Sequence, residues 1–376
     1  MQYDQALAHV VKVARDNAGR VDAEAAFPAE AVAELRANGL LGLVLPKDVG
    51  GLGAGPTEFV DVVSELAAAC GSTAMIYLMH AAAGVTIAAA PPAGLPGLLG
   101  DLARGQVLGT LAFSERGSRS HFWAPVSTAT ADGRDWVRLR ADKSFVTSAG
   151  YADLYVVSAR TAAGIAGEVD LYAVPAGGDG ITTQGAWRGM GLRGNASAPM
   201  KVDVRVPADY RLGDAGAGFG LMMQTVLPWF NLGNAAVSVG LAAAATDAAT
   251  QHVAQATFEH LGQRLRDLPT IRARIARMGI SLAAQRAYLR QAAASVAAPD
   301  DATLLHVLGV KAASNDAALE ITEAAMRVCG GAAFSSSLPI ERSFRDARAG
   351  SVMAPTADVL YDFYGKAVTG LQLFES

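Results

Sequence analysis

Residues 141–160 of the 376-residue chain read ADKSFVTSAGYADLYVVSAR, and this stretch places β-structure at the centre of the fold. An aromatic residue, Phe145, precedes Thr147 at one predicted strand end, and the β-rich run LYVVSAR follows after a turn. More short β-rich runs, separated by turn residues, occupy the sequence from about residue 106 to residue 207: VLGTLAF, WVRLRA, VDLYAV and MKVDVRV. The pattern predicts a middle β domain over residues 107–208.

Helical periodicity lies on both sides of this β block. Residues 1–106 include EFVDVVSELAAAC and TAMIYLMHAAAGVTIAAA, which place apolar residues at i, i+3 and i+4. Residues 209–376 include long Ala-rich helical segments, for example PTIRARIARMGISLAAQRAYLRQAAA. The order of helices, strands and helices favours an α+β fold with an N-terminal helical domain and a C-terminal helical bundle, and it leaves no natural place for an alternating dinucleotide-binding unit.

Composition excludes several kinds of partner. The chain is 51% hydrophobic and 18% charged with a net charge of -4, so it has no electrostatic footprint for nucleic acid. The first segment, MQYDQALAHVVKVARDNAGR, lacks the apolar centre of a signal peptide, and no apolar run reaches spanning length without a Gly or charged residue. Two cysteines, Cys70 and Cys329, show no metal-ligand spacing. We therefore expect a cytoplasmic protein with no membrane partner and no metal site.

Two loop segments of the β block have the residues of a ligand site. No Walker loop, HExxH, paired CxxC or GxSxG occurs, so four common enzyme classes lose their main support. In LAFSERGSRSHF, a strand leads into a turn that exposes hydroxyls of Ser114 and Ser120 with backbone N–H groups, which suits a phosphate or a polar heterocycle. The second segment offers the flat face of Phe145 beside the Thr147 hydroxyl. Each segment alone is also compatible with an ordinary turn.

Taken in order, seven segments resemble the acyl-CoA dehydrogenase superfamily over nearly the whole chain. The resemblance implies an FAD-dependent oxidoreductase with an N-terminal helical domain, a β-barrel-like middle domain and a C-terminal four-helix bundle. It implies FAD in preference to FMN or free reduced flavin, bound between the last two domains in a homodimer or homotetramer. The segments are LPKDVGGLGAGPTEF, ELAAACGSTAMIYLMH, LAFSERGSRS, DKSFVTSAGYADLYVVSART, WRGMGLRGNAS, VRVPADYRLGDAGAGF and RVCGGAAFSSSLPIERSFRDAR.

The same resemblance implies a set of flavin contacts. Ser114 would bond the ring near N5, and Ser120 would meet the pyrophosphate. Phe145, which stands where the family usually has Trp, would cover one face of the ring and so keep the stacking without the indole N–H donor. Thr147 would bond the ring edge, and Thr356 would also lie at that edge.

The pyrophosphate contact departs from the family pattern. Many members place an Arg on an Arg-x-x-Phe-Gly helix, and Phe258 of TFEHLGQRLRDL occupies that place here. Arg327 stands where the family usually has Gln, and we hypothesise that its guanidinium supplies the missing charge. The alternative is that Arg327 only stabilises the C-terminus of its own helix. Gly330 and Gly331 would let the backbone approach the adenosine half from a neighbouring subunit.

The catalytic base is the second departure. The common form of the family has a Glu that removes the substrate α-proton, and the corresponding residue here is Ala354, between Met353 and Pro355. Some members carry the Glu on the first long helix of the bundle. That place falls near Phe230, and no carboxylate occurs anywhere in residues 219–241. The pocket predicted from Trp229, Phe230, Met353 and Ala354 is therefore apolar.

Three residues are candidates for a replacement base, each with a structural role as the alternative. His80 ends STAMIYLMH and would reach the site from the N-terminal helical wall. Asp358 would lie one turn from Ala354 if that segment is helical. His121 replaces the Asp that normally follows a Gly-Ser pair, which places it nearer the cofactor phosphates.

Three functions stay open on these residues. The first is oxidation of an acyl-CoA, an acyl-carrier-protein thioester or a related small apolar substrate with a non-standard base, with an electron-acceptor protein or oxygen as oxidant. The second is a flavin-dependent monooxygenase of the same fold, which needs no carboxylate for α-proton removal. The third is a degenerate subunit whose paralogue holds the base.

Overall fold

The computed structural model describes residues 3–119, 121–162 and 168–374. Its N-terminal part is helical, and helix α4 is the innermost because almost every one of its residues is buried. Helix α3 begins at Pro56, where the Glu58 carboxylate accepts a hydrogen bond from the Gly55 N–H at 3.0 Å. The helices are α1 Asp4–Ala23, α2 Ala29–Ala37, α3 Pro56–Ala69, α4 Gly71–Ala89 and α5 Leu98–Ala103, with 3-10 turns at Leu40–Gly42 and Lys47–Val49.

The middle part is a curled seven-stranded sheet. Strand β4 pairs with β1 and β2 in parallel and with β5 antiparallel, while β3 joins β2 to β7, and β6 extends the β7 edge. The strands are β1 Gly109–Ala112, β2 Thr128–Ala131, β3 Trp136–Val146, β4 Leu154–Arg160, β5 Val169–Pro175, β6 Ile181–Thr183 and β7 Ala198–Pro207.

The C-terminal part is a bundle of long helices. A short α6 and a π turn at Met222–Val226 lead without a break into α7, which packs against α3, α8, α9 and α11. A two-strand hairpin, a 3-10 turn at Leu265–Asp267 and the short α10 complete the connections. The elements are α6 Gly218–Leu221, α7 Leu227–Gln255, β8 Thr257–Phe258, β9 Gln263–Arg264, α8 Pro269–Ala297, α9 Thr303–Cys329, α10 Gly331–Phe334, α11 Ile340–Val352 and α12 Ala357–Val368.

The two helical parts share one hydrophobic core, and the sheet docks on it. Successive side chains of a strand point to opposite faces, and β4 follows this rule. Leu154 and Val156 pack into the helical core, whereas Tyr155 and Val157 belong to a separate core inside the sheet. The α4 helix lies directly against β1. A cavity is thereby enclosed where the helices meet the sheet.

Two helical segments are long and apolar enough to cross a membrane by length and composition. They are Gly71–Ala89 and Gly218–Gln255, and 89% and 83% of their most apolar windows are buried inside the protein. Their apolar character is therefore accounted for by the shared core.

Candidate active site

The cavity has a volume of about 1310 Å³ and two chemically different walls. The helical wall is formed by lining residues from α4, the π turn, α7, α11 and the segment after α11. It includes Met75, Met79, Val226, Phe230, Met353 and Ala354. We call its sheet wall the lining residues from the strands and their loops, including Ser114, Phe145, Thr147, Trp187 and Asn195. Among the described residues, every ionisable side chain of the lining belongs to the sheet wall.

The sheet wall presents flat aromatic faces to the cavity. Phe145 is 64% exposed although it is a large apolar side chain, because it stands at the open cavity. Its ring centroid lies 6.2 Å from that of Trp187, with the two planes at 82°. Trp187 is half-buried, and because the two planes are perpendicular, one ring can stack on a flat conjugated ligand while the other meets it edge-on. Trp187 was absent from the sequence prediction, which had assigned the stacking to Phe145 alone.

Hydroxyl groups lie on both walls. Ser114 and Thr147 line the cavity, and the Thr147 hydroxyl shares a hydrogen bond with the Ser197 hydroxyl at 3.0 Å. Thr356 also lines the cavity and caps α12, where its hydroxyl accepts a hydrogen bond from the Val359 N–H. The structure therefore brings together three of the four hydroxyl residues predicted to hold a flavin. The fourth, Ser120, lies outside the described residues.

Strained backbone concentrates at this site. Among the described residues, six that are not glycine have a positive φ, and all but Ala25 lie on or next to the sheet wall. Non-glycine residues in this region cost of order 1–3 kcal/mol each and cluster at ligand sites. The five are Arg119, Phe145, Ser148, Leu192 and Ala196, with φ between 48° and 59°.

A buried ion pair supports the sheet wall. The Lys143 ammonium donates to the Glu115 carboxylate and to the Ser158 carbonyl, and it has no solvent exposure. The same carboxylate accepts hydrogen bonds from the N–H groups of Val126 and Ser127. Burial alone would raise the pKa of Glu115, yet Lys143 and these donors lower it below its usual value. The pair fixes the loop that carries Ser114, and three donors already bind the Glu115 carboxylate.

The segment that carries Ala354 is held from behind by a lysine. Lys311, on α9, is fully buried and donates to the carbonyls of Gly350, Met353 and Pro355 at 3.0, 3.2 and 2.8 Å. Burial lowers the pKa of Lys311 to about 7. Its three bonds fix the backbone on either side of Ala354, whose side chain faces the cavity. The sequence analysis missed this residue because a Lys inside a helical pattern is normally a surface group.

His80 does not reach the cavity. It is fully buried, its Nδ1 accepts from the Gly109 N–H at 3.1 Å, and its Nε2 donates to the Leu41 carbonyl at 3.1 Å. Burial lowers the pKa of His80 to about 4. Each residue turns a helix by 100°, so Met79 lies on the cavity and His80 points toward β1. These bonds make His80 a structural link between α4 and the sheet, not a base.

Two further residues do not line the cavity as predicted. Trp229 was expected in the pocket with Phe230, but only Phe230 lines the cavity, while the Trp229 ring packs on Phe59 of α3 with centroids 5.2 Å apart. Asp358 was expected on one helical face with Ala354, but α12 begins only at Ala357. Asp358 is exposed in the first turn of that helix, where the helix dipole stabilises a carboxylate.

The remaining predicted residues lie away from the cavity of this chain. His121 is exposed and stacks on Trp123, with centroids 4.9 Å apart. Arg327, Gly330 and Gly331 stand at the exposed end of α9, outside the cavity lining. The contact of Gly330 and Gly331 with the adenosine half from a neighbouring subunit, and the contact of Arg327 with the pyrophosphate, stay predictions.

Three family models match the chain in order and cover most of it. They are acyl-CoA dehydrogenase N-terminal domain at residues 1–91, middle domain at residues 110–204 and C-terminal domain at residues 216–369. The chain therefore belongs to the acyl-CoA dehydrogenase superfamily, as its sequence resemblance had indicated. It is an acyl-CoA dehydrogenase-like flavoprotein oxidoreductase, and its cofactor is FAD.

Individual relatives agree on fold and length. The chain is 29% identical over 346 residues to the human mitochondrial short-chain specific acyl-CoA dehydrogenase, which is 91% of this chain and 83% of the human protein. The butyryl-CoA dehydrogenase of Megasphaera elsdenii superposes with a TM-score of 0.89 at 24% identity, covering 97% of this chain and 98% of that one. The prolyl acyl carrier protein oxidase AnaB gives 0.88 at 20% identity, covering 98% and 99%. The two solved structures show that the fold is shared.

The cavity fits FAD on its own evidence. The flat faces of Phe145 and Trp187 and the hydroxyls of Ser114 and Thr147 stand on one wall. One buried amide donor on that wall, the Asn195 Nδ2, has no hydrogen-bond partner among the described residues and is therefore available to a ligand acceptor. Two exposed arginines of the same lining, Arg116 and Arg119, provide positive charge for a diphosphate. The sequence analysis overlooked these three residues because each lies in a turn, where a polar residue needs no function.

Proposed function

We propose that the protein uses FAD to oxidise a small apolar substrate carried as a thioester, without a carboxylate base at the usual position of the family. The thioester is supported by two similar proteins, one an acyl-CoA dehydrogenase and one an acyl carrier protein oxidase. Coenzyme A and a carrier protein both present the acyl group on a flexible thioester arm. An electron-acceptor protein or oxygen would complete the cycle.

One observation carries the proposal: among the described residues, the helical wall of the cavity has no ionisable side chain. By the sequence resemblance, Ala354 stands where the family usually has Glu, and the alternative place falls near Phe230, in a stretch (residues 219–241) without a carboxylate. The candidates His80 and Asp358 lie outside the lining. A positioned general base contributes about 10²–10⁴-fold to rate. We therefore expect simple acyl-CoA dehydrogenation to be slow in the natural protein.

The residues of the helical wall still perform two tasks. Met75, Met79 and Phe230 offer an apolar surface that binds an acyl chain and excludes water. The Lys311 bonds keep the backbone at Met353 and Pro355 fixed, so that the cavity holds its shape. When FAD is bound, it supplies the hydride acceptor. The α-proton passes to solvent water at the mouth of the cavity, where Phe145 is exposed, because among the described residues the helical wall has no ionisable acceptor.

Ala354→Glu tests the proposal directly. The FAD-loaded variant is mixed anaerobically with butyryl-CoA, and the loss of the visible flavin absorbance gives the rate of reduction. We expect a rate increase of about 10²-fold or more over wild type, because the scaffold is intact and only the base is missing. The matched control is Val352→Glu, which puts a carboxylate on the same wall two residues away and should give no increase. A wild-type rate equal to that of Ala354→Glu would contradict the proposal.

A flavin-dependent monooxygenase is the second candidate, and the apolar helical wall is the observation that favours it. Oxygen chemistry on a flavin benefits from a dry site and needs no α-proton base. The deciding measurement is oxygen uptake by the wild-type protein with reduced flavin, with and without candidate apolar substrates. Substrate-dependent uptake with an oxygenated product would favour the monooxygenase, whereas anaerobic bleaching by an acyl thioester would favour the dehydrogenase.

A further inference from the structure

Among the described residues that line the cavity, one buried side-chain polar atom has no hydrogen-bond partner. It is the Nδ2 amide nitrogen of Asn195, a residue that is 1% exposed. Four other buried polar atoms also lack a partner, on Thr73, Asn231, Asn234 and Asn315, but none of those residues lines the cavity. Among the described residues, Asn195 is therefore the one that both lines the cavity and has a buried donor without a partner.

The orientation of this amide is fixed by its own loop. The Asn195 Oδ1 accepts a hydrogen bond from the Ser197 N–H at 3.2 Å. Its backbone carbonyl accepts from the Ser148 N–H at 2.9 Å, and its backbone N–H donates to the Leu192 carbonyl at 3.2 Å. A rotated amide would set its NH₂ group against the Ser197 N–H, so the free atom is the donor and not the acceptor.

A buried donor without a partner is costly. Leaving it unmet costs about 1–3 kcal/mol, and the same loop holds Leu192 and Ala196 at φ of 48° and 50°. Strain and an unmet donor in one cavity-lining loop point to a ligand whose acceptor atom completes the site. The surroundings of Asn195 limit the kind of ligand that can bind there. The Ser197 hydroxyl shares a hydrogen bond with the Thr147 hydroxyl, and the aromatic rings of Phe145 and Trp187 lie on the same wall.

We propose that Asn195 is a flavin-binding residue whose Nδ2 donates a hydrogen bond to an acceptor atom of the isoalloxazine ring. The aromatic rings of Phe145 and Trp187, both on the sheet wall, favour the aromatic isoalloxazine over the thioester arm, which has no aromatic ring. The ring carries carbonyl oxygens and unprotonated nitrogens, each of which accepts from an amide N–H. The proposal uses only the FAD cofactor and does not depend on the substrate.

Truncated flavins test which part of the cofactor Asn195 meets. The dissociation constants of lumiflavin, riboflavin and FAD are measured by fluorescence quenching on apoprotein of wild type and Asn195→Ala. Lumiflavin has the ring alone, riboflavin adds the ribityl chain, and FAD adds the diphosphate and adenosine. We expect Asn195→Ala to weaken all three by about tenfold, the effect of roughly 1.4 kcal/mol, because the lost bond is on the part they share.

Asn315→Ala is the matched control. Asn315 is also fully buried, its Oδ1 accepts a hydrogen bond from the Ser238 hydroxyl at 2.7 Å, and its Nδ2 likewise has no partner. Because Asn315 does not line the cavity, its loss should change thermal stability and leave all three flavin affinities within a factor of two. The Asn195→Asp variant keeps the shape but replaces the donor with an acceptor, so it should bind at least as weakly as Asn195→Ala and shift the visible absorption band of bound FAD.

Two outcomes would overturn the assignment. Unchanged lumiflavin and riboflavin affinities in Asn195→Ala would remove the ring contact, whether or not FAD binding falls. If Asn195→Ala does not fold, the near-isosteric Asn195→Asp decides, and wild-type affinity with an unshifted flavin spectrum would overturn the proposal.

Discussion

At the residue scale, Ala354 and Lys311 belong to the segment that follows α11 and to the helix behind it. The first leaves the wall without a carboxylate, and the second holds the wall in place through three carbonyls. Among the causes that act on the Lys311 pKa, burial is the one that lowers it, and no neighbouring carboxylate compensates the ammonium. A buried cation that is satisfied only by carbonyls has a backbone-positioning role, since it makes no contact with the cavity itself.

Lys311→Met should lower the free energy of unfolding by about 2 kcal/mol, because the side chain is similar in length but leaves buried carbonyl acceptors unmet. The matched control is Lys12→Met, which removes an exposed ion pair with Asp16 and should cost less than about 1 kcal/mol. Urea denaturation at pH 7 measures both. Equal effects of the two substitutions would show that the three carbonyl bonds do not stabilise the segment.

The Lys311 contribution has a defined pH dependence. Its pKa is about 7 in the folded protein and about 10.4 in an unfolded chain. Between these values the unfolded chain holds a proton that the folded protein has released, so the free energy of unfolding rises with pH. The stability difference between wild type and Lys311→Met should therefore increase from pH 7 to pH 10 in the same denaturation experiment. A difference that falls over this range would contradict the buried-lysine assignment.

The predicted site residues with a local signal do line the cavity. Phe145, Thr147 and Ser114 lie at strand ends whose flanking pattern fixes their surroundings, and the structure brings them to one wall. For residues on helices the sequence prediction was less successful. A shift of one residue along a helix turns the side chain by 100° and moves it from the cavity to the core. Thus Met79 lines the cavity where His80 was expected, and Phe230 does so without Trp229. Asn195 carries no sequence signal, since its unmet donor exists only after the loop has closed.

At the element scale, α11 joins the three parts of the chain through Arg345. Its guanidinium donates to the Asp22 carboxylate of α1 at 2.5 and 2.9 Å and to Glu341 at 2.7 and 3.0 Å. It also donates to the Met190 carbonyl, in the loop that carries Trp187 and Leu192, at 3.0 Å. The neighbouring Asp346 accepts a hydrogen bond from the Leu192 N–H at 2.6 Å. The helix thereby ties the sheet wall to the helical core.

Arg345→Ala should lower the free energy of unfolding by about 2 kcal/mol, less than for a fully buried pair because the side chain is 20% exposed. Arg20→Ala is the control, because its ion pair with Glu30 is more open, at 39% and 50% exposure, and should contribute under about 1 kcal/mol. Chemical denaturation of both variants makes the comparison. If the two substitutions cost the same, α11 is held by apolar packing and not by this charge network.

Strands β2 and β6 escaped the sequence analysis for a physical reason. They are TATA and ITT, four and three residues long, and most of their residues are partly or fully exposed. Such short segments lack the apolar alternation that marks a half-buried strand. Their positions are set by the longer strands β3 and β7. Strand β2 pairs with β3, and β6 pairs with β7. The sequence did not place the start of α12 either: the prediction for Asp358 assumed a helix that included Ala354, whereas α12 begins at Ala357.

At the scale of the whole molecule, the end of α9 is a surface that one chain does not use. Arg327, Gly330 and Gly331 are exposed, and Phe334 just beyond them is 82% exposed. The family resemblance predicts that a second copy uses this surface to complete the FAD site. The order of helices, strands and helices was readable from the sequence and is confirmed, whereas a contact between copies leaves no periodic pattern.

Arg327→Ala should weaken FAD binding by about tenfold, the effect of losing roughly 1.4 kcal/mol from a charged diphosphate contact. Riboflavin, which has no phosphate, should bind the variant as it binds wild type. Arg277→Ala, an exposed arginine of α8, is the control and should not alter FAD binding. Titration of each apoprotein at several protein concentrations gives the affinities. An Arg327→Ala protein that holds FAD as tightly as wild type would end the hypothesis.

The division of the cavity into a charged sheet wall and an uncharged helical wall has a consequence for selection among substrates. A carboxylate beside the reacting carbon lets an enzyme accept substrates of low carbon acidity, since the protein takes the proton. Under the proposed function, the described residues of the helical wall include no carboxylate for this task, so the rate depends more on the acidity of the substrate itself. The compounds that react fastest should then be those that weaken their own C–H bond, through an adjacent nitrogen or an electron-withdrawing group. Reactivity of the substrate, more than fit to the apolar wall, would set the range of compounds turned over.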